Sequence, residues 1–101
     1  MPSKNLLDEV KVITVSNWFV YMLRCADNSL YTGVTTDVER RVVEHNAKKS
    51  VTKYTRVRQP VSVAYYEKSE SRSDACKREA ELKKLTKKQK EALVLSEKPH
   101  G

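Results

Sequence analysis

The chain has 101 residues, 39% hydrophobic and 33% charged, with a mean hydropathy of −0.68. That length holds one small core and no second domain, and no stretch approaches the ~20 consecutive apolar residues of a spanning helix. Twenty Lys and Arg against thirteen Asp and Glu leave a formal net charge of +7, which disfavours basic partners and favours a polyanion, nucleic acid first.

Residues 1–17 read as a flexible lead-in. Asp8, Glu9 and Lys11 interrupt its apolar residues, so no signal-peptide h-region forms and the expected compartment is the cytoplasm. Trp18-Phe19-Val20-Tyr21-Met22-Leu23-Arg24-Cys25 is an aromatic and β-branched run that predicts a strand. Ala26-Asp27-Asn28-Ser29 carries turn chemistry, and Leu30 to Val34 returns as a second strand, so the two predict an antiparallel hairpin. Gly33, the one glycine besides the last residue, marks a place where the backbone takes a positive φ or passes close to another group. Thr36 or Asp37 can cap a helix running to about Ala47. Lys48 to Pro60 lacks periodicity and reads as a loop. Val61 to Tyr66 is a third strand. Ser71 or Ser73 caps a second helix to about Leu85, and Thr86-Lys87-Lys88-Gln89 is a capping box opening a third. The domain spans 18–95, with a tail over 96–101.

The order ββαβαα predicts an α+β fold, a small three-stranded antiparallel sheet flanked by helices. Cys25 and Cys76 lack partners at metal-ligand spacing and read as reduced, buried, small apolar residues.

Helical spacing makes the charged residues informative. Val38, Arg41, Val42 and His45 fall on one stripe, with Arg40 and Glu44 on another face. In the second helix Ala75, Cys76, Glu79, Leu82 and Lys83 share a stripe, so Glu79 stands among apolar positions. An unpaired charge in a core costs several kcal/mol. Arg41 and Glu79 therefore either pair with each other or serve a metal or a water-filled cleft, and periodicity leaves these open. His45 by itself fits a satisfied helix-end histidine, and Tyr21 and Tyr31 fit ordinary strand aromatics. Their convergence, with Tyr21 and Tyr31 able to be cross-strand neighbours beside Gly33, favours a site. The exposed cations Arg40, Lys48, Lys49, Lys53, Arg56 and Arg58 form a candidate phosphate-binding surface.

These residues resemble the GIY-YIG nuclease family, in particular its small stand-alone bacterial members. Phe19-Val20-Tyr21 stands at the first motif and Tyr31-Thr32-Gly33 at the second. Thr35 to Arg41 with His45-Asn46 fits the arginine segment, and Lys53-Tyr54-Thr55-Arg56 with Pro60 the segment before the third strand. Ser73-Asp74-Ala75 through Glu79 and Lys83 fits the glutamate-bearing helix. Phe19 departs from the motif's glycine. The resemblance implies a divalent-metal-dependent endonuclease that hydrolyses DNA phosphodiesters by structure rather than sequence, in a role such as DNA repair. It implies Glu79 as ligand of Mg²⁺ or Mn²⁺ and Arg41 as the group binding the scissile phosphate. Tyr21 would be the general base or would orient the attacking water, with Tyr31 and His45 as supports. RNA is a further possible substrate, and targeting would fall to a homodimer or a protein partner. The alternatives are a nucleic-acid-binding module with little or no cleavage activity, and a basic RNA- or ribosome-associated protein unrelated to cleavage.

Overall fold

The first strand is apolar on both faces, and the fold supplies a cover for each. In the computed structural model, which describes residues 17–96, β1 (Trp18–Arg24) lies between β2 (Leu30–Thr35) and β3 (Ser62–Ser69) and runs antiparallel to both. Successive strand side chains point to opposite faces. Val20 and Met22 therefore look one way and Tyr21 and Leu23 the other, and all four are buried. The first pair joins Leu30, Tyr65, Ala75 and Leu82, with Leu93 and Val94 packed alongside. Ala75 and Leu82 come from α3 (Arg72–Lys83), Leu93 and Val94 from α4 (Lys87–Ser96). The second pair joins Cys25 and Val61 beneath Val38 and Val42 of α1 (Val38–His45).

Side-chain caps begin the helices. Asp37, not Thr36, caps α1, accepting from the Arg40 N–H at 3.0 Å. Ser71 accepts from the Asp74 N–H at 3.1 Å to start α3. Thr86 and Gln89 satisfy each other reciprocally ahead of α4, at 2.9 and 3.1 Å. The hairpin turn uses Asn28 at φ 71, a conformation asparagine tolerates, and the Cys25 N–H closes it onto the Ser29 carbonyl at 2.9 Å.

Three expectations are corrected. The order is ββααβαα, because α2 (Lys53–Arg56) forms inside the stretch expected as loop. One turn is too short to show a helical period, and only Thr52, which accepts from the Thr55 N–H at 3.1 Å, signals it. The third strand continues to Ser69, carrying polar residues along an outer strand. Cys76 is half-buried, since it lies beside rather than under the buried line of Ala75 and Leu82. Helix ends also move by a residue or two: α1 stops at His45 and α3 at Lys83. Apart from Asn17 and Ser96, the expected lead-in and tail lie outside the described residues.

Register explains the glycine. Tyr21 sits directly opposite Gly33, and Tyr31 opposite Leu23, so the two tyrosines are diagonal rather than direct neighbours, with ring centroids 6.5 Å apart. Gly33 does not have a positive φ. Close approach is the reason: a Cβ there would stand 2.6 Å from the Tyr21 hydroxyl oxygen and 2.8 Å from its Cζ. Gly33→Ala should force the Tyr21 ring aside and cost about 1–3 kcal/mol, read as a Tm lower by roughly 5–20 °C. A variant melting with the wild type would refute the close-approach reading.

Candidate active site

The strand pleat sends the Tyr21 side chain under α1, and the stripe of α1 brings His45 to meet it. The Tyr21 hydroxyl lies 3.0 Å from His45 Nε2, and His45 Nδ1 lies 2.8 Å from the Thr55 hydroxyl of α2. Thr55 Oγ1 is also 2.7 Å from Ser50 Oγ and 2.8 Å from Thr52 Oγ1. His45 and Thr55 are fully buried, and Tyr21 nearly so. A hydroxyl has one proton and two lone pairs, so Thr55 can give to one of these partners and receive from the other two. The imidazole can point its N–H either way: Nδ1–H giving to Thr55 with Tyr21 giving to Nε2, or the reverse. Only the first arrangement gives every proton of the line an acceptor, because in the reverse one the Tyr21 proton loses Nε2. The phenol at rest therefore gives to His45, and switching between the two moves a proton along the line.

Arg41 leans over the same place. Its guanidinium lies beside the Tyr21 hydroxyl and bonds Glu44 Oε1 at 2.7 Å, with 29% of the side chain exposed. Burial pushes the Tyr21 phenol above its ordinary value of 10.0, against the lowering effect of Arg41, and the charges of Tyr31 and Glu79 add to the rise. Tyr21 is therefore a phenol, not a phenolate, at neutral pH. Burial, followed by the Arg41 charge, holds His45 below 6.5, so its ring is neutral there. The Tyr31 ring packs nearby at a tilt of 59°, its centroid 5.0 Å from that of His45.

Arg41 and Glu79 do not pair with each other. The partner of Glu79 is Lys83, at 3.0 Å, one turn along α3. Only 22% of the Glu79 side chain is exposed, and its charge reaches Tyr21. Among the described residues no group of three or more His, Cys, Asp and Glu gathers as a cage. Glu79 could thus offer a cation one hard carboxylate oxygen donor and no cage. Thr32, opposite Met22 on the sheet face that α3 covers, has a buried hydroxyl without a partner. A lone carboxylate would suit Mg²⁺ or Mn²⁺, which retain several waters, rather than a caged zinc.

Of the expected phosphate-binding cations, Lys48, Lys49, Lys53 and Arg56 are exposed around α2. Arg40 is 56% exposed and lies 3.6 Å from Glu44. Arg58 is occupied differently: it bonds Asp27 at 2.9 Å and lies 3.9 Å over the Tyr54 ring, clasping the hairpin turn. Glu44, which the sequence placed with Arg40, also serves Arg41, and Ser50, Thr52 and Thr55 belong to the site and were not singled out by sequence reasoning. Their only signal was the spacing of hydroxyls in the basic stretch, which the cap at Thr52 shares.

The profile of the GIY-YIG catalytic domain matches residues 17–92. The chain is 49% identical over 77 residues to a UPF0213 protein of Desulfotalea psychrophila, covering 76% of this chain and 70% of that one. It is 52% identical over 80 residues to a UPF0213 protein of Listeria monocytogenes serotype 4b, covering 79% and 89%. The solution NMR structure of a UPF0213 protein from Bacillus halodurans is similar at TM-score 0.52 and 43% identity, covering 82% of this chain and 88% of that one. The solution NMR structure of a protein from E. faecalis gives TM-score 0.53 at 43% identity, covering 84% of this chain and 94% of that one.

Removing the Thr55 hydroxyl leaves His45 Nδ1 buried without its partner. Thr55→Val should cost about 1–3 kcal/mol in urea denaturation, and Thr55→Ser much less; equal losses would mean the hydroxyl is incidental. His45 supplies a pH test. Its folded pKa lies below the unfolded value of 6.5, so the unfolded chain binds more protons as pH falls through 6.5. The unfolding free energy should therefore decline below that pH, and this part of the slope should vanish in His45→Gln.

Proposed function

The chain belongs to the GIY-YIG family, whose fold is that of nucleases, and from that premise we propose that it is a divalent-metal-dependent endonuclease hydrolysing DNA phosphodiester bonds. The observation that carries this reading is the buried Tyr21 hydroxyl, held between His45 and Arg41 and within reach of the Glu79 charge. A surface built only to bind DNA needs no carboxylate beside its cations and no proton-passing line behind a phenol.

Arg41 would hold the scissile phosphate, since its planar guanidinium offers two parallel N–H donors to phosphoryl oxygens. Phosphate would compete with Glu44 for that group, and the α1 geometry allows the exchange because both partners are half-exposed. A raised phenol pKa argues against a standing phenolate as base. Tyr21 instead would take the proton of the attacking water while giving its own to His45 Nε2. Burial and Arg41 make an imidazolium costly there, so the Nδ1 proton would move on to Thr55, whose own proton leaves through Ser50 or Thr52. Glu79 would hold Mg²⁺ or Mn²⁺, which when bound would polarise the scissile phosphoryl group. Tyr31 keeps the His45 ring in place by packing against it. The cations Lys48, Lys49, Lys53, Arg56 and Arg40 would guide the backbone without reading bases.

A fluorogenic DNA panel with and without Mg²⁺ tests the activity, and binding without cleavage in every arm would leave the binding-module alternative. Arg41→Ala should lower the rate by about 10²–10³, the scale for losing one transition-state donor, whereas Arg40→Ala should mainly weaken binding and flatten its salt dependence. Equal behaviour of the two would refute the division of roles on α1. Glu79→Gln should abolish cleavage with DNA affinity unchanged or slightly higher; normal cutting with Mg²⁺ would remove the metal assignment. Tyr21→Phe should slow the chemical step by roughly 10²–10⁴, and a small loss with an unchanged pH profile would exclude its proton transfer.

A further inference from the structure

Beside the candidate catalytic phenol, on the same face of the sheet, lies a cavity of about 430 Å³ lined by Phe19, Tyr66, Val63, Val38, Asp37 and Glu39. Its position follows from register. Tyr66 is the residue directly opposite Tyr21 across the β1–β3 ladder. Phe19 precedes Tyr21 by two positions and shares its face, and Val38 lies one turn before Arg41 on the buried stripe of α1. The Phe19 and Tyr66 rings meet edge to face, with centroids 6.1 Å apart and planes at 77°. Helix α1 roofs Tyr21 and Leu23 but leaves the β3 side open, where Tyr66 is 40% and Val63 41% exposed.

We propose that this cavity takes one unstacked nucleobase of the strand being cut, adjoining the scissile phosphate, with preference for a base carrying an exocyclic amino group. The inference rests on the nuclease reading, because that reading puts the phosphate at Arg41. Whatever enters a cavity so close to Arg41 is the neighbouring part of the same strand. Backbone phosphate is disfavoured there by the carboxylates of Asp37 and Glu39. A base is not. Two aromatic rings and two valines give its faces apolar walls, as stacking platforms for single strands do. The carboxylates accept hydrogen bonds from amino groups, which cytosine, adenine and guanine possess and thymine lacks. Asp37 can do so while capping α1, since the Arg40 N–H occupies Oδ1 and leaves Oδ2. A base must leave its stack to enter, which costs least in single-stranded, looped or mismatched DNA. Substrate structure, rather than sequence, would then be read by how readily one base unstacks.

Fluorescence anisotropy in EDTA, where cutting is suppressed, tests this with four probes of equal length: oligo(dC), oligo(dT), an abasic strand with the same phosphates, and a blunt duplex. Wild type should bind oligo(dC) about 5- to 150-fold more tightly than the abasic strand, the range for one stacked base, and more tightly than oligo(dT) or the duplex. Tyr66→Ala should remove most of the preference over the abasic strand, with Tyr66→Phe retaining it. Glu39→Gln should narrow the gap between oligo(dC) and oligo(dT). A salt slope unchanged in Tyr66→Ala shows that the fold and the phosphate contacts survive. Equal, salt-dependent binding of oligo(dC) and abasic strand in wild type and Tyr66→Ala would overturn the pocket and leave the nuclease reading standing. Binding to none of the probes would overturn both. A dimer that forms through Tyr66 and excludes the oligonucleotides would overturn the pocket in favour of a second copy of the chain.

Discussion

Tyr21 lies across Gly33 with its hydroxyl 2.6 Å from where any larger residue would place a Cβ. Because the ring occupies the space over β2, the hydroxyl is carried under α1 to His45 instead of pointing to solvent. His45 can be buried only because both of its nitrogens are then engaged, one by Tyr21 and one by Thr55. Thr55 in turn requires α2 to form and Ser50 and Thr52 to converge on it. One missing side chain on an outer strand thus sustains a line of polar groups through the apolar packing of Leu23, Cys25, Val38 and Val42. Buried polar lines of this kind are stabilising only when every member is satisfied.

The charges obey a second constraint. Each ion of the site finds a partner on its own helix: Arg41 and Arg40 share Glu44 on α1, and Glu79 meets Lys83 on α3. No charge is left stranded beside the core, and none is locked into a deeply buried pair that would be costly to open. All these partners remain partly in water, so exchange for a phosphate or a cation demands little reorganisation. Elsewhere ion pairs hold elements together. Arg24 grips Glu91 of α4 through both carboxylate oxygens, and with Lys87 it holds that carboxyl down at about 2. Arg78 of α3 ties Glu67 of β3, which also accepts from Tyr65, pushed up to about 12 by burial and by that carboxylate.

Much of this was legible along the chain. The pleat of Trp18–Arg24, the caps at Asp37, Ser71 and Thr86, and the stripe of Val38, Arg41, Val42 and His45 all follow from local chemistry with periods of two or 3.6 residues. The motif residues Tyr21, Tyr31, Arg41, His45 and Glu79 could be named because they carry the family resemblance in order. Less legible was α2, whose single turn is shorter than any period. The hydroxyls of Ser50, Thr52 and Thr55 look in sequence like ordinary polar loop residues.

By itself, the sequence determined which residues alternate, which helices begin where, and that a glycine and two unusual charges needed a reason. It could not decide among reasons, because each depends on atoms distant along the chain. Register, not periodicity, set Tyr21 against Gly33 and Tyr66, and so made the glycine a matter of close approach rather than of φ. Packing decided that Arg41 answers to Glu44 and Glu79 to Lys83, each on its own helix, rather than to each other. Burial decided that Tyr21 is a phenol and His45 neutral, because desolvation is a property of everything that surrounds a group and of nothing in its own sequence neighbourhood.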